Sequence, residues 1–281
     1  MPAPTAPSPA GSLAAEPAPQ KIIVFDNVSL AFEENRILEG ISFHLEHGET
    51  KILLGVAGTG KTLILKMALG LLKPDSGHIY VLGRDVTTLG EQELFDLRRQ
   101  VGMIFQESAL FDSLTVKENV AYRLIEEGTP EKDVEGRVRE ALRFVELERT
   151  IDMFPSELSG GMRRRVAIAR AIITQPEVLL YDSPTAGLDP ITSTTIIELV
   201  VKQRDVYHTS ALLVTHRLQD AFIMASHCFD KKENRMRPIA EGERTQANIS
   251  FVILRDAKII FDGTALELAR SRDEYIREYL S

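Results

Sequence analysis

Apolar residues recur along this chain at two spacings, and both are visible from about Lys21 onward. Short apolar and β-branched runs predict strands at residues 22–25, 28–32 and 41–45. Residues 51–54 form a further apolar run that leads into a glycine-rich turn. Residues 61–72 then place apolar side chains on one helical face. The first part of the chain therefore predicts a β-rich region followed by a strand–turn–helix unit.

The middle of the chain, from about Glu107 to Gln175, has a mainly helical pattern. Within residues 131–147, Val138 and Leu142 fall on one helical face and charged residues on the other. This stretch is predicted to be a helical lobe inserted into the rest of the fold.

Strands return after this lobe. Residues 178–181 and 211–215 are apolar runs separated by a helix predicted at residues 193–203. A strand, a helix and a strand in this order pair in parallel through a right-handed crossover. The sequence therefore predicts an α/β fold whose parallel sheet carries the inserted lobe.

The end of the chain predicts smaller elements. Residues 251–254 and 258–261 predict a hairpin, and residues 265–280 predict a short amphipathic helix. The pattern leaves open whether this helix packs on its own domain or on a partner. The polar, charged residues 231–246 favour a solvated loop.

Composition narrows the function classes. A length of 281 residues is enough for one large core, or for a core with a lobe. The net charge of -8 gives no overall attraction to a phosphate backbone, so nucleic acid is not an expected partner. The one cysteine excludes an internal disulfide. No apolar stretch approaches the ~18 residues of a membrane-spanning helix, and the Pro- and Ala-rich residues 1–20 predict a disordered leader.

Residues 55–62, GVAGTGKT, match the phosphate-binding pattern G-x-x-x-x-G-K-[ST]. Glycines let successive backbone N–H groups point at phosphate oxygens, and the helix that begins near Lys61 adds its positive end. Lys61 is expected to reach the terminal phosphates, and the Thr62 hydroxyl to bind Mg²⁺. The residues predicted to cradle the nucleotide are Gly55, Val56, Ala57, Gly58, Thr59, Gly60, Lys61 and Thr62.

Asp182 directly follows the apolar run 178–181. It therefore lies at the carboxyl end of a buried strand, where α/β sheets bind their ligands. Beside a phosphate-binding loop (P-loop) such as residues 55–62, this carboxylate is the expected second protein ligand of the nucleotide's magnesium.

Residues 158–162, LSGGM, resemble the signature of the ATP-binding cassette (ABC) ATPases, and residues 163–171, RRRVAIARA, resemble the helix that follows it. Further residues resemble that family's functional set in its usual order. Phe32 resembles the aromatic that stacks on adenine, and Gln106 the Q-loop glutamine that contacts magnesium and the attacking water. Asp189 resembles the D-loop aspartate, and His216 the switch histidine near the γ-phosphate.

The resemblance covers residues 21–281 and implies a P-loop NTPase (RecA-like) core, an antiparallel β subdomain and an inserted helical subdomain at about 107–175. It implies ATP and Mg²⁺ as ligands. It also implies that Ser159, Gly160 and Gly161 serve the nucleotide of a second cassette. Two ATP molecules would then lie between two cassettes of a homodimer.

Residues 106–120 look like the same region of Mla-type phospholipid transporters and their Mce-associated relatives. This similarity implies an integral membrane permease, a Mce-domain substrate-binding protein and a peripheral position on the cytoplasmic face of a bacterial inner membrane. Leu110, Phe111 and Leu114 are candidates for the surface that receives the permease's coupling helix, and packing in the lobe core is the alternative.

Ser183 departs from the family, in which a glutamate usually follows the Asp182 position and polarises the attacking water. Serine is no base at neutral pH, and general bases contribute ~10²–10⁴-fold. Because positioning and charge stabilisation carry much of phosphoryl transfer, slow hydrolysis with His216 and Gln106 positioning the water is expected. The alternatives are that Glu107 reaches the water, or that this site is degenerate and pairs with a complete one on a different cassette.

Two further functions compete with a transport ATPase. One is a soluble cassette acting on ribosomes or DNA, a class that usually carries two cassettes or a long coiled-coil insertion, neither of which this sequence predicts. The other is an ATP-locked regulatory clamp, which only Ser183 favours.

Overall fold

The computed structural model describes residues 20–240, 243 and 248–280, so the predicted leader, apart from Gln20, lies outside the described residues. The described strands are β1 (Lys21–Phe32), β2 (Asn35–Glu46), β3 (Glu49–Leu54), β4 (Ser76–Val81), β5 (Arg84–Asp85), β6 (Val101–Ile104), β7 (Val178–Asp182), β8 (Ser210–Val214), β9 (His227–Asp230), β10 (Arg235–Pro238), β11 (Asn248–Arg255) and β12 (Lys258–Thr264). The described helices are α1 (Lys61–Ala68), α2 (Glu91–Arg98), α3 (Val116–Glu126), α4 (Glu131–Phe144), α5 (Gly160–Ile172), α6 (Pro190–Tyr207), α7 (Leu218–Ser226), α8 (Ala265–Ala269) and α9 (Glu274–Leu280).

The central sheet has the strand order β12-β11-β3-β8-β7-β6 over the described residues. Its strands run parallel from β11 to β6, and β12 closes one edge antiparallel. Every residue of β3, β7 and β8 is buried, as expected for strands covered on both faces. The carboxyl ends of β3, β7 and β8 therefore meet at one edge of the sheet, where the P-loop begins.

A separate antiparallel sheet, β2-β1-β4-β5, packs beside this core. The two strands predicted at residues 22–25 and 28–32 are one strand, β1, whose register shifts between Phe25 and Val28. That irregularity lets one strand bend while both of its apolar runs stay buried. Phe25 also stacks on Phe43 of β2, with ring centroids 4.7 Å apart. The α/β fold with an antiparallel β subdomain is thus confirmed.

Helices α3, α4 and α5 lie between β6 and β7 in the chain and pack on one another. Helix α3 begins at a capping box, in which Thr115 and Glu118 exchange hydrogen bonds. Helix α4 buries Val138 and Leu142, as its pattern predicts, and ends at Phe144. This helical unit forms one hydrophobic core with the central sheet and α6.

Two regions near the end of the chain differ from their prediction. In the stretch expected to be a solvated loop, β10 pairs antiparallel with β9, and the Met236 N–H donates to Glu198 of α6 (2.7 Å), which ties the strand to that helix. The predicted C-terminal helix is two helices, α8 and α9. Helix α9 packs on its own domain, where Ile276 is fully buried. Within the described part of the chain, none of the helices has the length and apolar character needed to cross a bilayer.

Candidate nucleotide site

The P-loop, residues 55–62, joins the buried strand β3 to α1. Gly60 precedes α1 in the left-handed conformation, with φ of 86°. A Cβ at Gly60 would lie 2.7 Å from the Ile37 side chain, so only glycine fits without a shift. This close approach also places the β1–β2 hairpin against the P-loop.

Phe32 is the last residue of β1 and lies at the tip of that hairpin, opposite Asn35. Phe32 is 48% exposed, which is unusual for phenylalanine in a strand. The hairpin thus presents an exposed aromatic side chain, as stacking on a nucleobase requires.

The Lys61 side chain is folded back over the P-loop. Its Nζ donates to the carbonyl oxygens of Gly55 and Val56, both at 2.7 Å, and to Thr59 Oγ1 at 3.1 Å. Burial lowers the pKa of Lys61 to about 8, and the nearby Asp182 carboxylate opposes that shift. The amine is therefore held inside the loop and can turn toward an anion bound there.

Thr62 and Asp182 meet beneath the P-loop. Thr62 Oγ1 donates to Asp182 Oδ1 at 3.0 Å. Burial raises the pKa of Asp182, while hydrogen bonds from Thr62 and Ser183 oppose that shift. A hydroxyl and a carboxylate oxygen are ligands that Mg²⁺ accepts alongside phosphate oxygens and water. Within the described ranges, no group of three or more His, Cys, Asp or Glu side chains could hold a metal.

Ser183 follows directly, in a left-handed conformation with φ of 45°. Its N–H donates to the Val214 carbonyl at 2.9 Å, which extends the β7–β8 pairing by one residue. Its hydroxyl lowers the pKa of the adjacent Asp182 carboxylate. The serine thus favours the charged form of the predicted magnesium ligand.

Arg164 is a site residue that the sequence did not reveal. Its guanidinium is buried and donates to the carbonyl oxygens of Phe105 (3.2 Å) and Gln106, with the Ser183 carbonyl at 3.5 Å. The Arg164 side chain therefore connects helix α5 to the Q-loop around Gln106 and to the end of β7. The only indication in the sequence is helical spacing, which places Arg164 on the same face as the buried Ile168.

Gln106 and His216 approach the same sheet edge from two sides. The Gln106 backbone is fixed by Arg164, and its side chain is exposed. His216 is also exposed and comes two residues after Val214, which pairs with Asp182 in the sheet. The structure thus brings the P-loop, Asp182, Ser183, Gln106 and His216 to one edge.

Arg217, next to His216, was also missed by the sequence analysis. Its Nη1 donates to Ser193 Oγ at 2.8 Å, and its Nε lies 3.5 Å from the Asp220 carboxylate. Asp220 in turn accepts a hydrogen bond from the buried Thr185. This network fixes the loop that carries the histidine to the segment between Ser183 and α6.

The signature residues lie apart from this cluster. Ser159 caps α5, and its Oγ accepts from the Met162 N–H at 3.2 Å. Ser159 and Gly160 are exposed, whereas Gly161 packs so tightly that a Cβ there would lie 2.3 Å from Thr192. None of the hydrogen bonds described for this chain joins these residues to the P-loop.

Asp189 was also predicted to contact nucleotide, and the structure gives its carboxylate a local role. Asp189 Oδ1 accepts from the N–H groups of Ile191 (3.1 Å) and Thr192 (3.0 Å), so it caps α6. The Thr192 hydroxyl and these N–H groups lower the pKa of Asp189. Its side chain thus stabilises the segment that leads out of the D-loop.

Comparison with known proteins places the chain in a family. The family model described as ABC transporter matches residues 38–186, more than half of the chain. The chain is 43% identical over 212 residues to the protein TRIGALACTOSYLDIACYLGLYCEROL 3, chloroplastic, of Arabidopsis thaliana, a match that covers 68% of this chain and 60% of that relative. It is 39% identical over 201 residues to the methionine import ATP-binding protein MetN 1 of Bacillus thuringiensis subsp. konkukian (strain 97-27), covering 70% of this chain and 59% of that relative.

Solved structures agree with these relatives. The ATP-binding cassette MJ0796, in a dimeric post-hydrolysis state bound to ADP and Pi, aligns with a TM-score of 0.72 and 27% identity over 86% of this chain and 98% of that one. The structure of cbiO1 from Clostridium perfringens aligns with a TM-score of 0.74 over 92% of this chain and 94% of that one, and at 24% identity it supports the fold alone.

The chain therefore belongs to the ABC transporter family, and its fold is that of the family's ATP-binding cassette. It spans about 60% of the length of the curated relatives that it matches.

Proposed function

We propose that this chain binds Mg-ATP in its P-loop and hydrolyses it slowly, as the ATP-binding subunit of a transporter whose permease is a separate membrane protein. The observation that carries this proposal is the Thr62–Asp182 contact of 3.0 Å beneath the loop that Lys61 spans. These groups supply a cation for phosphate and two oxygens for magnesium within one small space. The ADP and phosphate in the related cassette MJ0796 support the same ligand class.

The chain's own residues account for binding and for part of catalysis. Lys61 turns from the carbonyls of Gly55 and Val56 toward the phosphates, where its charge stabilises the transferring group. Thr62 and Asp182 would hold a magnesium ion, which would neutralise phosphate charge when bound. Exposed Gln106 and His216 are free to position the attacking water.

Ser183 is proposed to make this reaction slow. Its hydroxyl lowers the pKa of Asp182, and a serine is no base at neutral pH. A missing general base costs ~10²–10⁴-fold, whereas the charge stabilisation that remains accounts for much of phosphoryl transfer. Glu107 is exposed in the cavity that also contains Gln106 and Gly187, and it remains the alternative group for the water.

A second copy of the chain is proposed to complete each site. Ser159 and Gly160 stand exposed at the N-terminus of α5, where an anion is favoured, and no hydrogen bond described for this chain ties them to its own P-loop. The relative MJ0796 is described as dimeric in its ADP-bound state. A homodimer with two ATP molecules between the copies satisfies both observations.

A groove between α2 on one side and α3 and α5 on the other is proposed to receive the permease. It has a volume of about 510 Å³ and is lined by Phe95, Phe105, Phe111 and Tyr122 together with Arg98. Phe111 is 43% exposed there, whereas Leu110 packs against the hydrophobic core. Glu126 and Glu127 also line it, and an exposed aromatic groove bordered by charges of both signs suits a short amphipathic helix from a partner. Of the candidate coupling residues, Phe111 is therefore the one we assign to this surface.

We propose a phospholipid as the transported substrate, with a Mce-domain protein as the substrate-binding component and the cytoplasmic face of a bacterial inner membrane as the location. The Arabidopsis relative bears the name of a galactolipid, which supports a lipid substrate. The MetN relative is named for methionine import and supports a different substrate. The residues 106–120, which resemble the Mla-type region, favour the lipid.

Ser183 also supports a second candidate, an ATP-locked regulatory cassette that binds ATP without appreciable hydrolysis. In that case the Thr62–Asp182 contact would preserve the magnesium site while the water is left without a base.

A single-turnover assay with radiolabelled Mg-ATP and the purified dimer separates these candidates. Slow release of phosphate that is abolished in Asp182→Asn supports the ATPase. Tight ATP binding with no phosphate release above background, even with the membrane partner present, supports the locked cassette. Absence of ATP binding contradicts both.

Co-purification from native membranes tests the transport assignment. A multi-span permease that is retained by the wild type and lost in Phe111→Asp supports it, and Phe154→Asp, at an exposed aromatic outside the groove, serves as the control. Recovery of ribosomes or nucleic acid in place of a permease would contradict it.

A further inference from the structure

The last helix of the chain touches the first residue of the P-loop. Tyr279 Oη, on α9, accepts a hydrogen bond from the Gly55 N–H at 3.2 Å. The two residues are 224 positions apart, so the contact joins the end of the described chain to the beginning of the phosphate cradle. Nothing in the proposed mechanism uses this hydroxyl.

The position of Tyr279 is set by the packing of its helix. Ile276, on the same helix, is 1% exposed and belongs to the hydrophobic core. The Arg255 guanidinium lies 3.9 Å from the centroid of the Tyr275 ring, and that ring stacks on Tyr279 with centroids 5.9 Å apart. Helix α9 is thus anchored by two residues about one turn before Tyr279, so the tyrosine hydroxyl is held at the loop.

Gly55 is held from two directions in this structure. Tyr279 bonds its N–H, and Lys61 Nζ bonds its carbonyl oxygen at 2.7 Å. Its φ of 153° and the approach to Leu254, whose carbonyl would lie 2.7 Å from a Cβ at Gly55, leave room for glycine alone. When Lys61 turns toward a phosphate, Gly55 loses one of these two contacts, and the bond to Tyr279 remains.

We propose that Tyr279 is a positioning residue for nucleotide binding, whose hydroxyl keeps Gly55 in place when Lys61 leaves the loop carbonyls for the phosphate. The inference rests on the proposed function, because it takes ATP to be the ligand of the P-loop. Coupling between the P-loop and α9 must act in both directions. A nucleotide that stabilises this arrangement of the loop therefore stabilises α9 as well.

Tyr279→Phe tests the hydroxyl while keeping the ring. Loss of one hydrogen bond to the loop is expected to weaken binding of a fluorescent Mg-ATP analogue by about three- to tenfold. The KM for ATP is expected to rise by the same factor with kcat unchanged, since the contact is made equally in the ground and transition states. Tyr275→Phe is the matched control, because the contacts described for that residue are made by its ring.

The two possible failures are distinguishable. If the wild type binds no nucleotide, the proposed function is wrong. If the wild type binds and Tyr279→Phe binds equally well, or if Tyr275→Phe weakens binding as much, the inference about Tyr279 alone is overturned.

Hydrogen exchange provides a test that needs no turnover. In the nucleotide-free protein, the Gly55 amide is expected to exchange about tenfold faster in Tyr279→Phe than in the wild type, because its acceptor is gone. Mg-ATP is expected to slow exchange in residues 274–280 of the wild type. Unchanged exchange at Gly55 in the variant, or at α9 on adding Mg-ATP, would overturn the proposal.

Discussion

The P-loop end of the molecule (residues 55–62) and the signature end (residues 158–162) have similar local structures, but their polar side chains differ in burial and in hydrogen bonding. Both present a glycine-containing segment at the start of a helix, α1 in one case and α5 in the other. At the P-loop, Lys61 is buried and bonded to two carbonyls of the loop, and Thr62 is bonded to Asp182. At the signature, Ser159 and Gly160 are exposed, and the hydrogen bond described for the Ser159 hydroxyl is to its own helix.

This difference is consistent with the proposed site between two chains. The P-loop end contains a cation and two oxygens that suit a magnesium–phosphate group. The signature end presents exposed Ser159 and Gly160, which have no described hydrogen bond to that P-loop. We therefore expect substitutions at the first end to affect nucleotide binding by a single chain, and substitutions at the second to affect association.

The largest effect is expected from Lys61→Ala. Removing a preorganised positive charge from a phosphoryl-transfer site costs about 10²–10³-fold in rate. The measurement is single-turnover phosphate release with Mg-ATP, and Lys73→Ala, at an exposed lysine after α1, is the control. Equal loss in both variants would show that the P-loop end is not the catalytic half.

Ser183→Glu is expected to raise the rate of phosphate release by about 10²-fold, the lower end of what a general base supplies. The gain is limited because the serine hydroxyl, which lowers the pKa of Asp182, is lost in this variant. Ser183→Gln, of the same size and without the charge, is the control. An unchanged rate in Ser183→Glu would mean that the serine does not limit hydrolysis.

Ser159→Ala is expected to weaken ATP-dependent dimerisation by about tenfold, as loss of a hydrogen bond to a charged phosphate would. ATP binding to a single chain should be unchanged. The helix cap is lost as well, at a cost of about 1 kcal/mol in the free energy of unfolding. Ser159→Thr keeps the hydroxyl and should restore both properties in sedimentation and thermal unfolding. A change in single-chain ATP affinity would contradict the division between the two ends.

The smallest effect is expected from Asp189→Ala, which removes the cap of α6 and should lower Tm by about 2–4 °C. Because the folded-state pKa of Asp189 is depressed, its contribution is present above the ordinary aspartate pKa and is lost as pH falls through the lower folded-state pKa. The Tm difference between wild type and variant should therefore shrink in acid. A difference that stays constant with pH would contradict a carboxylate cap.

The sequence predicted those features whose chemistry depends on residues that lie close together in the chain. The P-loop requires glycine, lysine and threonine at fixed spacing, and Asp182 requires only a buried strand before it, so both were visible in the sequence. The parallel order of β7 and β8 followed from the helix between them.

Features that depend on distant contacts were not visible. Strand β10 pairs with β9, and its Met236 N–H bonds to α6. The mostly polar residues of β10 do not by themselves indicate either contact. Arg164 is one of three consecutive arginines, and only packing decides which of them is buried. The contact of Tyr279 with Gly55 depends on where the chain's end arrives after the whole domain has folded.

The buried guanidinium of Arg164 has a consequence for motion. Its Nε has no partner among the described residues, and its other nitrogens depend on the carbonyls of Phe105 and Gln106. A buried charged group that loses its hydrogen-bond acceptors is destabilised by at least ~1–3 kcal/mol, so α5 should leave the Q-loop carbonyls only where other acceptors replace them. We therefore expect α5 and the Q-loop backbone to move together as one rigid unit.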